Sequence, residues 1–189
     1  TSHMKPTLLT SASISDYLEK GHWTQETQVQ RFAKYAADQP NRVACRDAVW
    51  SLTWAELDAA TDRLAGNLID IGLARDSRAL VRIPSGCREI VVRIALKKAG
   101  IIGAFVPMQW RRRELDYVHK HITPQLLIMT VAGSDDDSER KWAETAFHGL
   151  RIDPFGNGMA GWHPWSEIAD KPPAFATLKV LTDRAFTYD

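Results

Sequence analysis

Cys87 and Arg93 have the C-x5-R spacing of phosphatase loops, and Cys87 follows an apolar run at the start of a helical pattern. A thiol in that position can have its pKa lowered. A loop that wraps phosphate must bend, however. The intervening Arg88-Glu89-Ile90-Val91-Val92 instead sets apolar residues at helical spacing, so Cys87 reads as a packed thiol and Ser85 as an N-cap. Gly156-Asn157-Gly158-Met159-Ala160-Gly161 matches the dinucleotide fingerprint in letters. That fingerprint acts through a helix directly after it, whose first amides hold a pyrophosphate. Pro164, Pro172 and Pro173 prevent such a helix, which leaves loop glycines.

His119 and His121 suggest a metal pair, but residues two apart on a helix point to different faces and cannot chelate one ion. Asp135-Asp136-Asp137 follows Ser134 at a helix start, where negative charge offsets the positive end of the dipole. Arg111-Arg112-Arg113 opens a helix whose N-terminus already carries partial positive charge. A solvated face is expected there, with an anion contact or an interdomain salt bridge as alternatives. No convincing nucleophile, metal cluster or phosphate cradle emerges, so no catalytic, cofactor-binding or metal-binding residue is assigned.

The elements that carry these residues alternate. Val29, Phe32, Ala33 and Ala36 share one helical face, in a segment that Thr24 should cap and Pro40 end. Val43 to Arg46 and Val49 to Leu52 predict a small hairpin. Thr53-Trp54-Ala55-Glu56 is a capping box opening a helix with Leu57, Ala60, Leu64, Leu68 and Ile71 inward, closed by Gly72. Apolar runs at Ala79 to Ile83, Ile101 to Val106, Leu126 to Met129 and Leu150 to Asp153 then alternate with helical patterns at Gly86 to Ala99, Arg111 to Ile122 and Ser134 to Phe147. Strands alternating with helices imply parallel pairing, and little polar alternation implies strands buried on both faces. The fold expected is α/β, a doubly wound, mostly parallel sheet flanked by helices, with a small N-terminal hairpin. Residues 1–3 read as a tag remnant, 4–23 as an irregular lead-in, 24–155 as the α/β subdomain and 156–189 as an irregular connecting segment.

Composition removes other classes. A length of 189 residues suits one core. A net charge of +1 argues against a dedicated nucleic-acid binder. No apolar run approaches the roughly 18 residues of a membrane span. Two cysteines, Cys45 and Cys87, cannot make a disulfide framework, so a cytoplasmic location is the expectation.

Leu52-Thr53-Trp54-Ala55-Glu56-Leu57, with Arg63-Leu64-Ala65 and Leu68 to Gly72, resembles a block of the adenylate-forming (AMP-binding) enzymes. That superfamily holds acyl-CoA synthetases, aryl-acid ligases and peptide-synthetase adenylation domains. Ser77 to Pro84, Glu89 to Pro107, and Arg113-Glu114-Leu115 with Leu126 to Thr130 resemble later blocks in the family's order. Tyr17 to Thr24 is similar to the start of aryl- and cyclic-acid ligases, and Pro107-Met108-Gln109-Trp110-Arg111 to the CoA ligases.

The resemblance implies the N-terminal subdomain of an ATP-dependent carboxylic acid–CoA ligase. Such an enzyme joins an acid to AMP, releases pyrophosphate and passes the acyl group to a thiol. ATP, Mg2+ and CoA are implied for the whole enzyme, and its remaining subdomains are the implied partners. The family's phosphate loop, aromatic-Thr-Glu segment, ribose Asp and late catalytic Lys have no counterpart here, so the chain alone is expected inactive. The alternative is a natural short α/β binding or assembly module on the same scaffold. A stand-alone thiol enzyme would need Cys87 to label rapidly at neutral pH.

Overall fold

The computed structural model describes residues 10–172 apart from 25, 132–136 and 157. Within the lead-in, expected to be irregular, lies helix α1 (Ser11–Glu19), capped where the Thr10 side chain accepts from the Ser13 N–H. None of its residues is buried, so apolar periodicity could not announce it. Helix α2 (Gln28–Asp38) is capped by Thr27 rather than Thr24. The reason is local: the Thr27 hydroxyl accepts from the Gln30 N–H at 3.1 Å while the Gln30 side chain accepts from the Thr27 N–H at 2.9 Å.

Strands β1 (Val43–Arg46) and β2 (Ser51–Thr53) form the antiparallel hairpin. Thr53 then caps α3 (Trp54–Asp70) through the box read from the sequence, with Glu56 accepting from the Thr53 N–H at 2.8 Å. Leu57, Leu64 and Leu68 face inward, but Ile71, expected with them, is 44% exposed because it caps the helix instead of continuing it. Gly72 follows with φ 95°, a left-handed turn that suits glycine.

The alternation continues as β3 (Arg78–Arg82), α4 (Cys87–Lys98), β4 (Ile102–Phe105), α5 (Arg112–Ile122), β5 (Leu126–Met129), α6 (Ser138–Ala146) and β6 (Leu150–Asp153). Ser134, the expected start of α6, lies outside the described residues, as do Asp135 and Asp136. The sheet does not end at residue 155. Strand β7 (His163–Pro164) pairs with β6, and a π-helical turn spans Ser166–Asp170.

The five strands run parallel in the order β4-β3-β5-β6-β7. Successive side chains of a strand point to opposite faces. Ala79, Val81, Leu126 and Ile128 therefore join one core with Leu64 and Leu68 of α3 and Val92 and Ala95 of α4. Leu80, Leu127 and Met129 join a second core with Leu115 of α5 and Trp142 and Ala143 of α6. Helices α3 and α4 are also joined by Lys98, 3% exposed, whose Nζ lies 2.6 Å from Asp58 Oδ1 and 2.7 Å from Asp62 Oδ1.

Candidate functional site

The amino end of α4 is built from two separate stretches of chain. Asp47, in the hairpin turn, accepts from the Val49 and Trp50 N–H groups with Oδ1 and from the Cys87 N–H with Oδ2, at 2.8, 2.7 and 2.8 Å. These donors, that of Cys87 foremost, hold its carboxyl down to about 2. The N-cap position belongs to Gly86, not to Ser85, and Gly86 makes no side-chain cap. A Cβ on Gly86 would lie 2.8 Å from Asp47 Oδ2, so glycine is what lets the carboxylate reach the helix.

Cys87 is 2% exposed, with Sγ 3.6 Å from the Trp50 carbonyl. Burial pushes its thiol up to about 12, and neighbouring Cys45 and Asp47 add to the effect. The thiol is protonated at neutral pH, the opposite of an activated nucleophile. Arg93 lies about 1.7 turns further along the helix. It pairs with Glu89 at 2.7 Å and stacks on Phe105, its guanidinium carbon 3.8 Å from the ring centre. The two ends of the C-x5-R spacing therefore serve different contacts.

His119 and His121 diverge as helical geometry requires. His119 packs edge-on against Trp142 and Phe147, both 5.9 Å away, and burial lowers its pKa. His121 is exposed, with Nδ1 2.8 Å from the Tyr117 carbonyl. Asp137 pairs with Arg140 at 2.8 Å. Gly158 and Gly161 turn the chain back along β6 into β7, with a bridge between Met159 and Trp162, so the glycine-rich segment opens onto a strand.

The strand order provides a better-defined place for chemistry. From β3 the chain winds out to β4, then returns to add β5 on the other side of β3. In such sheets ligands bind outside the carboxyl ends of the strands at this reversal. Arg82 ends β3 there, 6% exposed, donating from Nε and Nη2 to the Met108 carbonyl at 3.2 and 2.9 Å. Its pKa is lowered by burial, which Glu139 counters. Arg111 donates to Glu139 Oε1 at 3.3 Å, and that carboxylate is buried at the start of α6. Arg111, Arg112 and Arg113 are all exposed, as a solvated face requires, and Arg111 in addition reaches from the start of α5 to Glu139 of α6. Thr130 Oγ1, at the end of β5, is buried without a hydrogen-bond partner among the described residues. Two guanidinium groups face one carboxylate at this edge. Sequence reasoning passed over Arg82 and Glu139, although a charged residue closing an apolar strand is a signal that could have found the first.

Against known proteins, the sequence profile described as "AMP-binding enzyme" matches residues 32–165, well over half of the chain. The chain belongs to the AMP-binding enzyme family. Among curated relatives, pseudomonine synthase PmsE of Pseudomonas entomophila is 32% identical over 112 residues, covering 59% of this chain and 18% of that protein. A salicyl-AMP ligase / salicyl-S-ArCP synthetase of Mycobacterium tuberculosis is 32% identical over 108 residues, covering 54% and 19%. The chain thus spans about a fifth of the length of these relatives. The apo structure of Mycobacterium smegmatis MbtA superposes with a TM-score of 0.75 at 20% identity, covering 95% of this chain and 34% of that one, which establishes the shared fold. The described residues do not by themselves fit ATP with Mg2+. Among them no cluster of three or more His, Cys, Asp or Glu could hold a metal ion, and the glycine segment leads into no helix.

Proposed function

We propose that this AMP-binding chain is the N-terminal scaffold of an ATP-dependent ligase. That enzyme would condense a carboxylic acid with ATP, release pyrophosphate and transfer the acyl group to a thiol of CoA or of a carrier protein. The observation that carries the reading is the family match across residues 32–165, which takes in the hairpin, the five-stranded sheet and most of both cores. The name of the salicyl-AMP ligase relative makes aryl acids the first substrates to try. ATP and Mg2+ would supply the leaving pyrophosphate and the charge neutralisation that phosphorus chemistry requires. The residues that hold them are proposed to belong to other segments of the enzyme, with this chain as their support.

Pyrophosphate exchange with salicylate, benzoate and short aliphatic acids tests the reading, run on this chain and on the polypeptide encoded with its downstream sequence. Exchange by the longer polypeptide alone is expected. Exchange by the 189-residue chain, or by neither with any acid, overturns the proposal.

A further inference from the structure

The two cysteines of the chain come from different elements, Cys45 from β1 and Cys87 from the first position of α4. The fold brings them to one place. Side chains of an extended chain alternate, so Cys45 and Asp47, two residues apart, lie on the same side of the hairpin. From that side Asp47 reaches the Cys87 N–H at 2.8 Å. Across the hairpin, the Trp50 carbonyl accepts from the Asp47 N–H at 2.9 Å and from the Cys87 thiol at 3.6 Å. Both cysteines belong to the core on the α3–α4 face, Cys45 9% and Cys87 2% exposed. The Cys45 thiol accordingly stands among the groups that act on the Cys87 thiol. Both are free cysteines.

One buried cysteine behaves as a small apolar residue. Two that meet between separate elements can also be joined by a bond, provided the backbone already holds them together. Asp47 does so here, tying the hairpin turn to α4 beside the two sulfurs. Joining them needs a two-electron oxidant, and hydrogen peroxide is small enough to reach a core thiol through local opening of a hairpin. Oxygen transfer to Cys45 Sγ, the more exposed of the pair, breaks the O–O bond, forms a sulfenic acid and releases water. Cys87 Sγ then attacks that sulfur. The S–S bond forms, the S–O bond breaks, and the hydroxyl leaves as water with the Cys87 proton. Two thiols are oxidised and one peroxide is reduced to two waters. Because burial keeps Cys87 protonated, closure is slow and calls for sustained exposure to the oxidant.

We propose that Cys45 and Cys87 form a redox latch, open in the reduced protein and closed under peroxide as one disulfide that fastens the hairpin to the amino end of α4. The test uses the whole chain, reduced, exposed to hydrogen peroxide without denaturant, alkylated and cut with trypsin. Mass spectrometry is expected to find residues 43–46 joined to residues 83–88, and dithiothreitol to separate them. Oxidation should raise the melting temperature by about 5–10 °C, since a disulfide restricts the unfolded chain, and dithiothreitol should return it. Methionine sulfoxide survives dithiothreitol and so cannot mimic that reversal. Cys45→Ser should lose both the linked peptide and the rise, while the wild type measured before and after oxidation needs no variant to fold. The proposal is overturned if the folded chain yields no linked peptide, or a link only between two chains. A link without a gain in melting temperature, or an equal gain in folded Cys45→Ser, overturns it as well.

Discussion

Asp47 shows how one side chain can fasten a hairpin to a sheet. Its carboxylate collects three backbone N–H groups from two segments, and one of them begins α4. Because these donors stabilise the ionised form, its pKa falls from 3.8 to about 2 on folding. A group whose pKa is depressed in the folded state stabilises the fold fully above its unfolded value and loses that contribution as pH falls through its folded value. Asp47→Ala should therefore melt at a lower temperature than the wild type near neutrality. The difference should shrink as pH drops from 3.8 toward 2. Melting curves across that range check it, and a difference unchanged down to the lower limit would show that another group is responsible. The neighbouring Thr53–Glu56 box was readable in advance because its partners lie three residues apart. The Asp47–Cys87 bond joins residues forty apart, so no local pattern could reveal it.

Elements with an apolar face were legible, and those without one were not. The alternation from β3 to β6 followed from apolar runs broken by helical spacing. Helix α1 buries nothing and is fixed by its cap. Strand β7 has two residues, one of them Pro164, and exists through its pairing with Ile152 and Asp153. Proline has no N–H for a ladder and so belongs at a sheet edge, which is where β7 lies. Packing between elements was hidden in a similar way: Lys98 could be placed on a helix but not between two aspartates of another. Removing it by Lys98→Met would leave Asp58 and Asp62 repelling one another one turn apart. Their carboxylates are 35% and 31% exposed, which softens the penalty of a broken buried pair. A loss of about 1–3 kcal/mol is expected. Urea unfolding measures it, and in a double-mutant cycle Asp62→Asn should cost less in the Lys98→Met background than in the wild type. Additive losses would mean that the helices are held by apolar packing alone.

At the scale of the molecule, one sheet serves two cores, and neither can form without it. Val81 and Leu80 are adjacent in β3 yet lie in different cores, as do Leu127 and Ile128 in β5. Withdrawing β3 or β5 would open both faces together, so the two cores should unfold together. Family membership extends the same point to function. The sequence carried the scaffold's blocks in order, while the groups that would handle ATP are proposed to lie elsewhere in a protein of which this chain resembles about a fifth. A scaffold in that role has to fold as a unit to present the carboxyl ends of its strands. Leu64→Ala, on the α3 face, and Leu80→Ala, on the other, each empty a fully buried site. Each should cost about 2–5 kcal/mol. Both should shift one common urea transition, seen alike by backbone circular dichroism and by fluorescence from Trp142 and Trp162 in one core and Trp165 in the other. Should Leu80→Ala split the curve, melting the α5–α6 face while the α3–α4 face persists, the two cores would be separate folding units, and the sheet would not couple them.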